Sequence, residues 1–241
     1  MDGQGNGVVV AGGLAVTVRR SARTRRITLR VSRADHGVML TLPARLPLAQ
    51  GMAFLQAREG WLHKAVAALP PPLLVRPGSV IPVGGADLVV TPASVRAPRV
   101  EGRALLVPAG RPPGPVVEAF LKHLARSQVL DACDRHAAAL GRRFAAVTLR
   151  DTRSRWGSCT GDGRLMFSWR LAMAPVPVLD YVAAHEVAHL AHMDHSPAFW
   201  TAVGRLMPEY AERRAWLRRH GGALQAWRFR APVPASGSAQ A

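Results

Sequence analysis

The segment Pro108-Ala-Gly-Arg-Pro-Pro-Gly-Pro115 constrains this chain more than any other. Proline lacks the amide donor that a helix interior or central strand needs, and glycine adds backbone freedom, so neither element passes through it. The patterns on its two sides differ. Before it, Leu14–Val18, Ile27–Val31 and Val38–Leu42 alternate or form short apolar runs, separated by Arg/Ser clusters and by Asp35-His36-Gly37. They read as strands. Val80–Val83 and Leu88–Val90 flank Gly84-Gly85 as a hairpin, and Ala104–Val107 is a further strand. One helix is expected over 48–69, with Met52, Leu55, Trp61 or Leu62, Val66 and Leu69 at helical steps before Pro70-Pro71-Pro72 stops it. Beyond the segment, Val116–Leu140 is an amphipathic helix closed by Gly141. Val147–Arg150 and Leu165–Trp169, with the turn Thr160–Gly163, suggest a small antiparallel sheet. Helices follow over Val178–His192, from Pro197, and over Pro208–His220, the last with Glu209 and Glu212 near its start and Arg218 and Arg219 near its end. The expectation is an α+β protein: a β-rich domain with one helix over 1–112, a second domain over 113–230, and a disordered tail over 231–241.

A chain of 241 residues with 49% hydrophobic side chains buries a sizeable core, which excludes a disordered protein. No apolar run reaches the roughly 18–20 residues of a membrane span. The apolar stretch Gly7–Val16 has no basic residue before it and no small-residue cleavage site after it, so it does not read as a signal peptide. Two cysteines, Cys133 and Cys159, make no disulfide framework and suit a reduced, cytoplasmic setting. The net charge is +17, and among 32 basic residues only Lys64 and Lys122 are lysine. That excess admits weak binding of a polyanion such as nucleic acid. The arginines are dispersed along the chain without an aromatic-interleaved platform, which equally fits a solvated basic surface.

The chemistry concentrates at His185-Glu-Val-Ala-His-Leu-Ala-His-Met-Asp-His195. On a helix, His185 and His189 project on one face one turn apart, so both imidazoles reach a single ion. Glu186 lies beside that face, where its carboxylate reaches a water without binding the metal. This is the H-E-x-x-H arrangement of zinc hydrolases. The alternative, two surface histidines on an amphipathic helix, fits poorly with the apolar flanks Tyr181, Val182, Ala184, Val187, Ala188 and Leu190. A third ligand comes from His192, His195 or a distant carboxylate. On a continuing helix, His192 stands about 10 Å along the axis from His185, with His189 between them. His195 reaches back only if the helix ends first. Asp194 tolerates the backbone that closes a helix, and Ser196-Pro197 reads as N-cap and first residue of the next. The choice is therefore one Zn2+ on His185, His189 and His195, with water in the fourth position. His192 is left to the helix end and Asp194 to the turn. Asp180 is either an acceptor for a ligand imidazole N–H or a helix cap.

Several stretches together resemble a known family. They are Arg153-Ser-Arg-Trp-Gly-Ser-Cys159, Phe167-Ser-Trp-Arg-Leu171, Leu179-Asp-Tyr-Val182, His185-Glu-Val-Ala-His189 and His195-Ser-Pro-Ala-Phe-Trp200. Pro208-Glu-Tyr210, Trp216-Leu217, the N-terminal Arg25-Arg-Ile-Thr-Leu-Arg-Val31 and Trp61 fit as well. The chain resembles the YgjP-like zinc metallopeptidases, relatives of the SprT-like and WLM groups, over nearly its whole length. The resemblance implies a zincin-like peptidase domain behind an N-terminal β-rich domain, its active-site helix packed on a small antiparallel sheet. It implies zinc on His185, His189 and His195, with Glu186 as the catalytic acid/base. Ser168 departs from the asparagine expected before Trp169 and receives no role.

The reaction so implied is hydrolysis of a peptide bond in a peptide or protein substrate. Arg155, Tyr181 and Tyr210 are the candidates for contacting substrate or stabilising the oxyanion. Against those roles stand packing between the last helices for Tyr210, and pairing of Arg153 and Arg155 with Asp151. Cys159 reads more naturally as a small residue at a strand end than as a nucleophile. Trp156, Phe167, Trp169 and Trp200 read as core or cleft wall. Two other functions stay open: a DNA-associated SprT-like protease or nucleic-acid-binding protein with a zinc site, and a non-catalytic zinc-binding module.

Overall fold

The structure is a computed structural model, and it describes residues 7–32, 37–68, 73–152 and 154–230. The expected turn at Asp35-His36, the prolines at 70–72, Arg153 and the expected tail over 231–241 lie outside the described residues. The architecture is α+β. By its internal contacts the chain divides into two units, Met1–Pro72 and Leu73–Ala241.

In the first unit, β1 (Gly7–Ala11), β2 (Leu14–Ser21), β3 (Thr28–Val31) and β4 (Val38–Pro43) form one sheet in the order β1-β2-β4-β3. Strand β2 runs parallel to β4 with Val16 opposite Val38 and Val18 opposite Leu40. All four of those side chains are buried on one face, as alternation at period two requires. Helices α1 (Leu48–Ala57) and α2 (Glu59–Ala67) contribute the fully buried Leu55 and Leu62 to the same core. The single helix expected over 48–69 is thus two. Arg58 leaves the helical well at φ −113°, ψ 9°, and its amide turns to the Leu55 carbonyl at 3.0 Å.

The second unit begins with β5 (Leu73–Leu74), then β6 (Val80–Val83), β7 (Ala86–Ala93), β8 (Arg99–Glu101) and β9 (Ala104–Pro108). The last four pair in the order β6-β7-β9-β8. Gly84 and Gly85, at φ 60° and 87°, make the two-residue turn that joins β6 to β7. Helix α3 (Pro113–Leu140) follows the Pro/Gly-rich segment and packs on two cores. Its first half sends Val117, Leu121 and Ala125 into the core of the β6–β9 sheet. Its second half sends Val129, Ala132, Cys133 and Ala137 into the core beneath the histidine helix. This double use explains why residues 73–108 belong to one unit with the helices after them, whereas composition suggested a boundary at 112/113. The stiff segment is a corner within one unit.

Strands β10 (Ala146–Arg150), β11 (Gly157–Cys159) and β12 (Arg164–Ser168) form a sheet in the order β10-β12-β11. This corrects the expected antiparallel sheet. The pairing of β11 with β12 is antiparallel, but that of β10 with β12 is parallel. The reason is the strand between them: the chain reverses twice between β10 and β12, with β11 in the middle, so those two point the same way. A 3₁₀ turn (Trp169–Met173), α4 (Val176–Ala188), α5 (Pro197–Leu206), α6 (Tyr210–Ala226) and β13 (Trp227–Arg228) complete the unit. Helix α6 runs past His220, so Arg218 and Arg219 lie inside it and not at its end. Strand β13 returns beside β5 in parallel. Arg170, only 3% exposed, ties this end to the sheet. Its guanidinium donates to Asp151 at 2.7 and 3.2 Å and to the Leu224 and Trp227 carbonyls at 3.1 Å. Asp151 has Arg170 as a partner, and among the described residues Arg155 makes no ion pair with it, while Arg153 lies outside the described residues.

Candidate metal centre and active site

Helix α4 starts on prolines at 175 and 177, whose fixed φ suits a first turn. It buries Val178, Leu179, Val182, Ala183, Ala184, Val187 and Ala188, so it is held on most of its circumference. It ends at Ala188, earlier than expected, with His189 at the C-cap. The next amides tighten: Leu190 N–H donates to Val187 at 2.9 Å, and His192 N–H to Ala188 at 3.1 Å. This early end changes the role of His192. Its carbonyl accepts from His189 Nδ1 at 2.9 Å, which fixes the His189 ring and leaves Nε2 as the free lone pair.

The chain then turns at Asp194, whose Oδ1 accepts from the Ser196 amide at 3.1 Å. Ser196 caps α5 by accepting from Phe199 N–H at 3.5 Å. Asp194 thus shapes the turn before α5 without ending α4. The turn returns His195 to α4, where its Nε2 lies 3.2 Å from His185 Nε2. The ligand atoms of His185, His189 and His195 all fall within 4.8 Å of one another, a group that can hold a metal ion. Two nitrogens at about 2.0–2.1 Å from a tetrahedral ion stand roughly 3.3 Å apart, so the 3.2 Å spacing fits that donor set. Burial pulls His185 down to about 3, with His189 and His195 adding to it, and burial also lowers His189. Both present neutral imidazoles near neutral pH, the form that ligates.

Aromatic rings hold this group in place. Phe199 stacks on His189 at 4.4 Å and meets His185 and His195 edge-on at 4.9 and 4.8 Å. Trp200 stacks on His195 at 5.8 Å, Tyr210 on Trp200 at 5.5 Å, and the Arg214 guanidinium lies 4.6 Å from the Trp200 ring. Asp180 does not serve a ligand imidazole or cap the helix. It accepts from Arg135 at 2.8 Å and His136 at 3.0 Å, joining α4 to α3. Among the described residues the buried His185 Nδ1 has no partner.

Glu186 is 5% exposed, and burial lifts its carboxyl to about 8, against the opposing pull of Arg155. Its neighbour across the groove is the backbone of β11. A Cβ at Gly157 would lie 2.5 Å from Glu186 Oε1 and 2.6 Å from its Cγ, so only glycine admits the carboxylate there. Glu186, the three histidines, Arg155, Gly157, Ser158, Cys159 and Met193 line a cleft of about 470 Å³. The Cys159 thiol is raised to about 11 by burial, with Glu186 and Asp162 adding to it, which keeps it protonated and no nucleophile.

A smaller recess of about 220 Å³ lies on Glu186 beside Trp156, Tyr181, Val182 and Leu217. Arg155 lines both spaces, and Tyr181 lines the recess with its ring edge-on to His185 at 6.0 Å. Tyr210 stands one ring behind His195 on Trp200. Phe167 and Trp169 are core residues, while Trp156 and Trp200 border the site. Ser168 is fully buried at the end of β12. Sequence reasoning missed Gly157, Phe199 and the His192 carbonyl. A glycine within a strand signals close approach, and Phe199 falls in the first turn of α5 directly after the turn that carries His195, so two of the three had a signal.

A helix carrying H-E-x-x-H, a third histidine folded back beside it and a strand backbone across the groove make up a metallopeptidase domain. The particular family emerges from comparison with known proteins. The YgjP-like metallopeptidase domain matches residues 25–220, and the chain belongs to the YgjP-like family. In a solved crystal structure, the metallopeptidase zymogen abylysin of Pyrococcus abyssi is 21% identical, with a TM-score of 0.34, covering 37% of this chain and 93% of that one. No curated protein matches the chain. Among the described residues no helix is long and apolar enough to cross a membrane.

Proposed function

We propose that the protein is a zinc peptidase in which His185, His189 and His195 hold one zinc ion and Glu186 is the general base. The carrying observation is the convergence of three imidazole ligand atoms within 4.8 Å in a cleft that also contains a buried carboxylate. When bound, zinc supplies Lewis acidity to the scissile carbonyl and lowers the pKa of a water towards ~7. Glu186 takes the proton of the attacking water on a carboxylate oxygen and returns it to the leaving amine. Burial supports this role by raising its proton affinity, and a dication beside it brings the value back down. Arg155 is the best-placed of the three candidates to meet charge developing on the carbonyl oxygen, because it lines the cleft itself. Strand β11 is the edge of its sheet and offers backbone groups to an extended peptide.

Two observations favour this reading over its rivals. A structural metal has no use for a buried Glu186 fitted against Gly157. Polyanion binding rests on the net charge of +17 alone, and salt-dependent binding to random DNA is its test. A cytoplasmic setting rests on the two free cysteines. Metal analysis and cleavage of casein or a peptide library, with wild type beside Glu186→Gln, test the proposal. The expected result is one zinc per chain in both proteins and cleavage in the wild type alone. Unchanged activity in the variant, or loss of its metal, overturns the assignment of Glu186.

A further inference from the structure

Beyond the histidines the groove continues. Strand β11 runs into the turn Thr160–Gly163, which faces the end of α3 and the segment after α4. Between them lies a second cleft of about 520 Å³, which shares His189 and Met193 with the first. One wall passes from Ser158 and Cys159 to Thr160 and Gly161 without a break in the chain. The opposite wall carries Arg142 and Arg143.

Local structure fixes those arginines there. Gly141 closes α3 in the left-handed conformation at φ 65°, and the Arg142 amide returns to the Ala137 carbonyl at 3.0 Å. The Ala145 amide then bonds the Gly163 carbonyl at 2.8 Å, which holds the segment against the turn. Backbone amides answer the Ala137 and Ala138 carbonyls at the end of α3. Arg142 and Arg143 are both exposed, and neither makes an ion pair among the described residues. The acid in the same wall, Asp162, is engaged by Arg164 Nε at 2.7 Å and by the Thr160 hydroxyl at 2.5 Å. The cleft is therefore lined by two arginines without an ion pair among the described residues, and it shares His189 and Met193 with the cleft of the three histidines.

We infer that this cleft is a substrate subsite for an acidic side chain, bound by Arg142 and Arg143. Its position sets the register. Gly157 faces Glu186, and Thr160 and Gly161 lie three and four residues further on. At about 3.3 Å per residue, a peptide laid along β11 passes the strand's end at Cys159 and reaches the turn, across from the arginines, roughly 10 Å from the bond that is cut. The preferred substrate thus carries Asp or Glu three or four residues from the scissile bond, on one side of it. Two guanidiniums suit a carboxylate better than a neutral amide because each donates in a planar fork. This inference rests on the peptidase reading for its register, but not for the binding itself.

The test uses paired peptides that differ only in Glu or Gln at each position up to four residues either side of the cleaved bond. In the wild type, kcat/KM is expected to rise about fivefold for Glu at a position three or four residues away, the worth of a partly exposed charge-assisted contact. In R142E/R143E that ratio falls to one or below, while the Gln peptide is cleaved within twofold of wild type. The control R96E/R103E changes net charge equally and should keep the preference. A wild-type ratio of one at every position, or an equal loss in both double variants, overturns the inference. Fluorescence anisotropy of the same labelled peptides on E186Q reads binding without cleavage. Tighter binding of the Glu peptide that R142E/R143E removes supports the subsite even if wild type cleaves nothing, a result that would defeat the peptidase reading instead. Equal binding of both peptides defeats the subsite.

Discussion

The two units of the chain solve folding differently. The core of the first unit is built from Val16, Val18, Val38, Leu40, Leu42, Leu55, Leu62 and Ala11, all apolar. Every buried polar or charged side chain among the described residues lies in the second unit: His136, Ser168, Arg170, Glu186, His189 and Gln225. Burying such groups opposes folding unless partners answer them. Arg170 and His136 have fixed carboxylate partners, and Gln225 donates to the Thr152 carbonyl at 3.1 Å. Glu186 differs, because nothing in its surroundings lowers its carboxyl as much as burial raises it. Polar groups answered within the fold hold the unit together. The Ser168 hydroxyl and the Gln225 side-chain carbonyl are buried without a partner among the described residues, so what sets Glu186 apart is that it is the buried carboxyl group lining the cleft.

That contrast can be broken by substitution. Glu186→Gln should lower kcat/KM by about 10²–10⁴-fold, the usual contribution of a general base, while thermal stability holds or rises. A fall in melting temperature alongside the activity would place Glu186 with the structural group. Arg170→Ala should do the reverse. It leaves two buried backbone carbonyls without their donor while the half-exposed Asp151 turns to water, and calorimetry or denaturant unfolding should show a loss of about 2–4 kcal/mol. A loss under about 1 kcal/mol would mean that water replaces the guanidinium and that Arg170 is no keystone. Gly157→Ala lies between the two. Its methyl group displaces the Glu186 carboxylate, so kcat/KM should fall about 10²-fold with zinc content unchanged. Retained activity would show that β11 yields and that Glu186 is not fixed from that side.

Much of this was legible in the sequence, and the rest was hidden for physical reasons. Helical spacing put His185 and His189 on one face, and Asp194-His-Ser-Pro197 marked the turn that returns His195. The end of α4 at Ala188 falls earlier than periodicity places it, and there the imidazole of His189 bonds the carbonyl of His192, a contact no propensity encodes. A strand around 153–159 with its edge open to a peptide is legible, but its short span Gly157–Cys159 and its placement opposite Glu186, which defines the groove, are not. The Pro/Gly-rich segment looks like a boundary because composition reports backbone stiffness. It does not report that α3 packs on the sheet before it as well as on the helices after it. Pairing of Arg170 with Asp151 was invisible for the same reason, since long-range partners are chosen by the fold.

The smallest expected effect tests the answered side of the comparison through pH. Burial pushes the Asp180 carboxyl up, but the hydrogen bond and charge of His136, with Arg135 beside it, outweigh that and hold it below its ordinary value. An acid whose folded pKa is depressed adds stability that is fully present above the unfolded value of about 3.9 and is lost as pH falls through the folded one. Asp180→Asn should therefore cost about 1–2 kcal/mol near neutrality, because the amide forfeits the charge that holds His136. That difference from wild type should shrink as the pH falls below about 4, since protonation removes the same charge from wild type. Urea unfolding of both proteins at a series of pH values reads the difference directly. A gap that stays constant into acid would mean that Asp180 acts through its shape and not its charge, and would move it out of the group of ion pairs that stabilise the second unit.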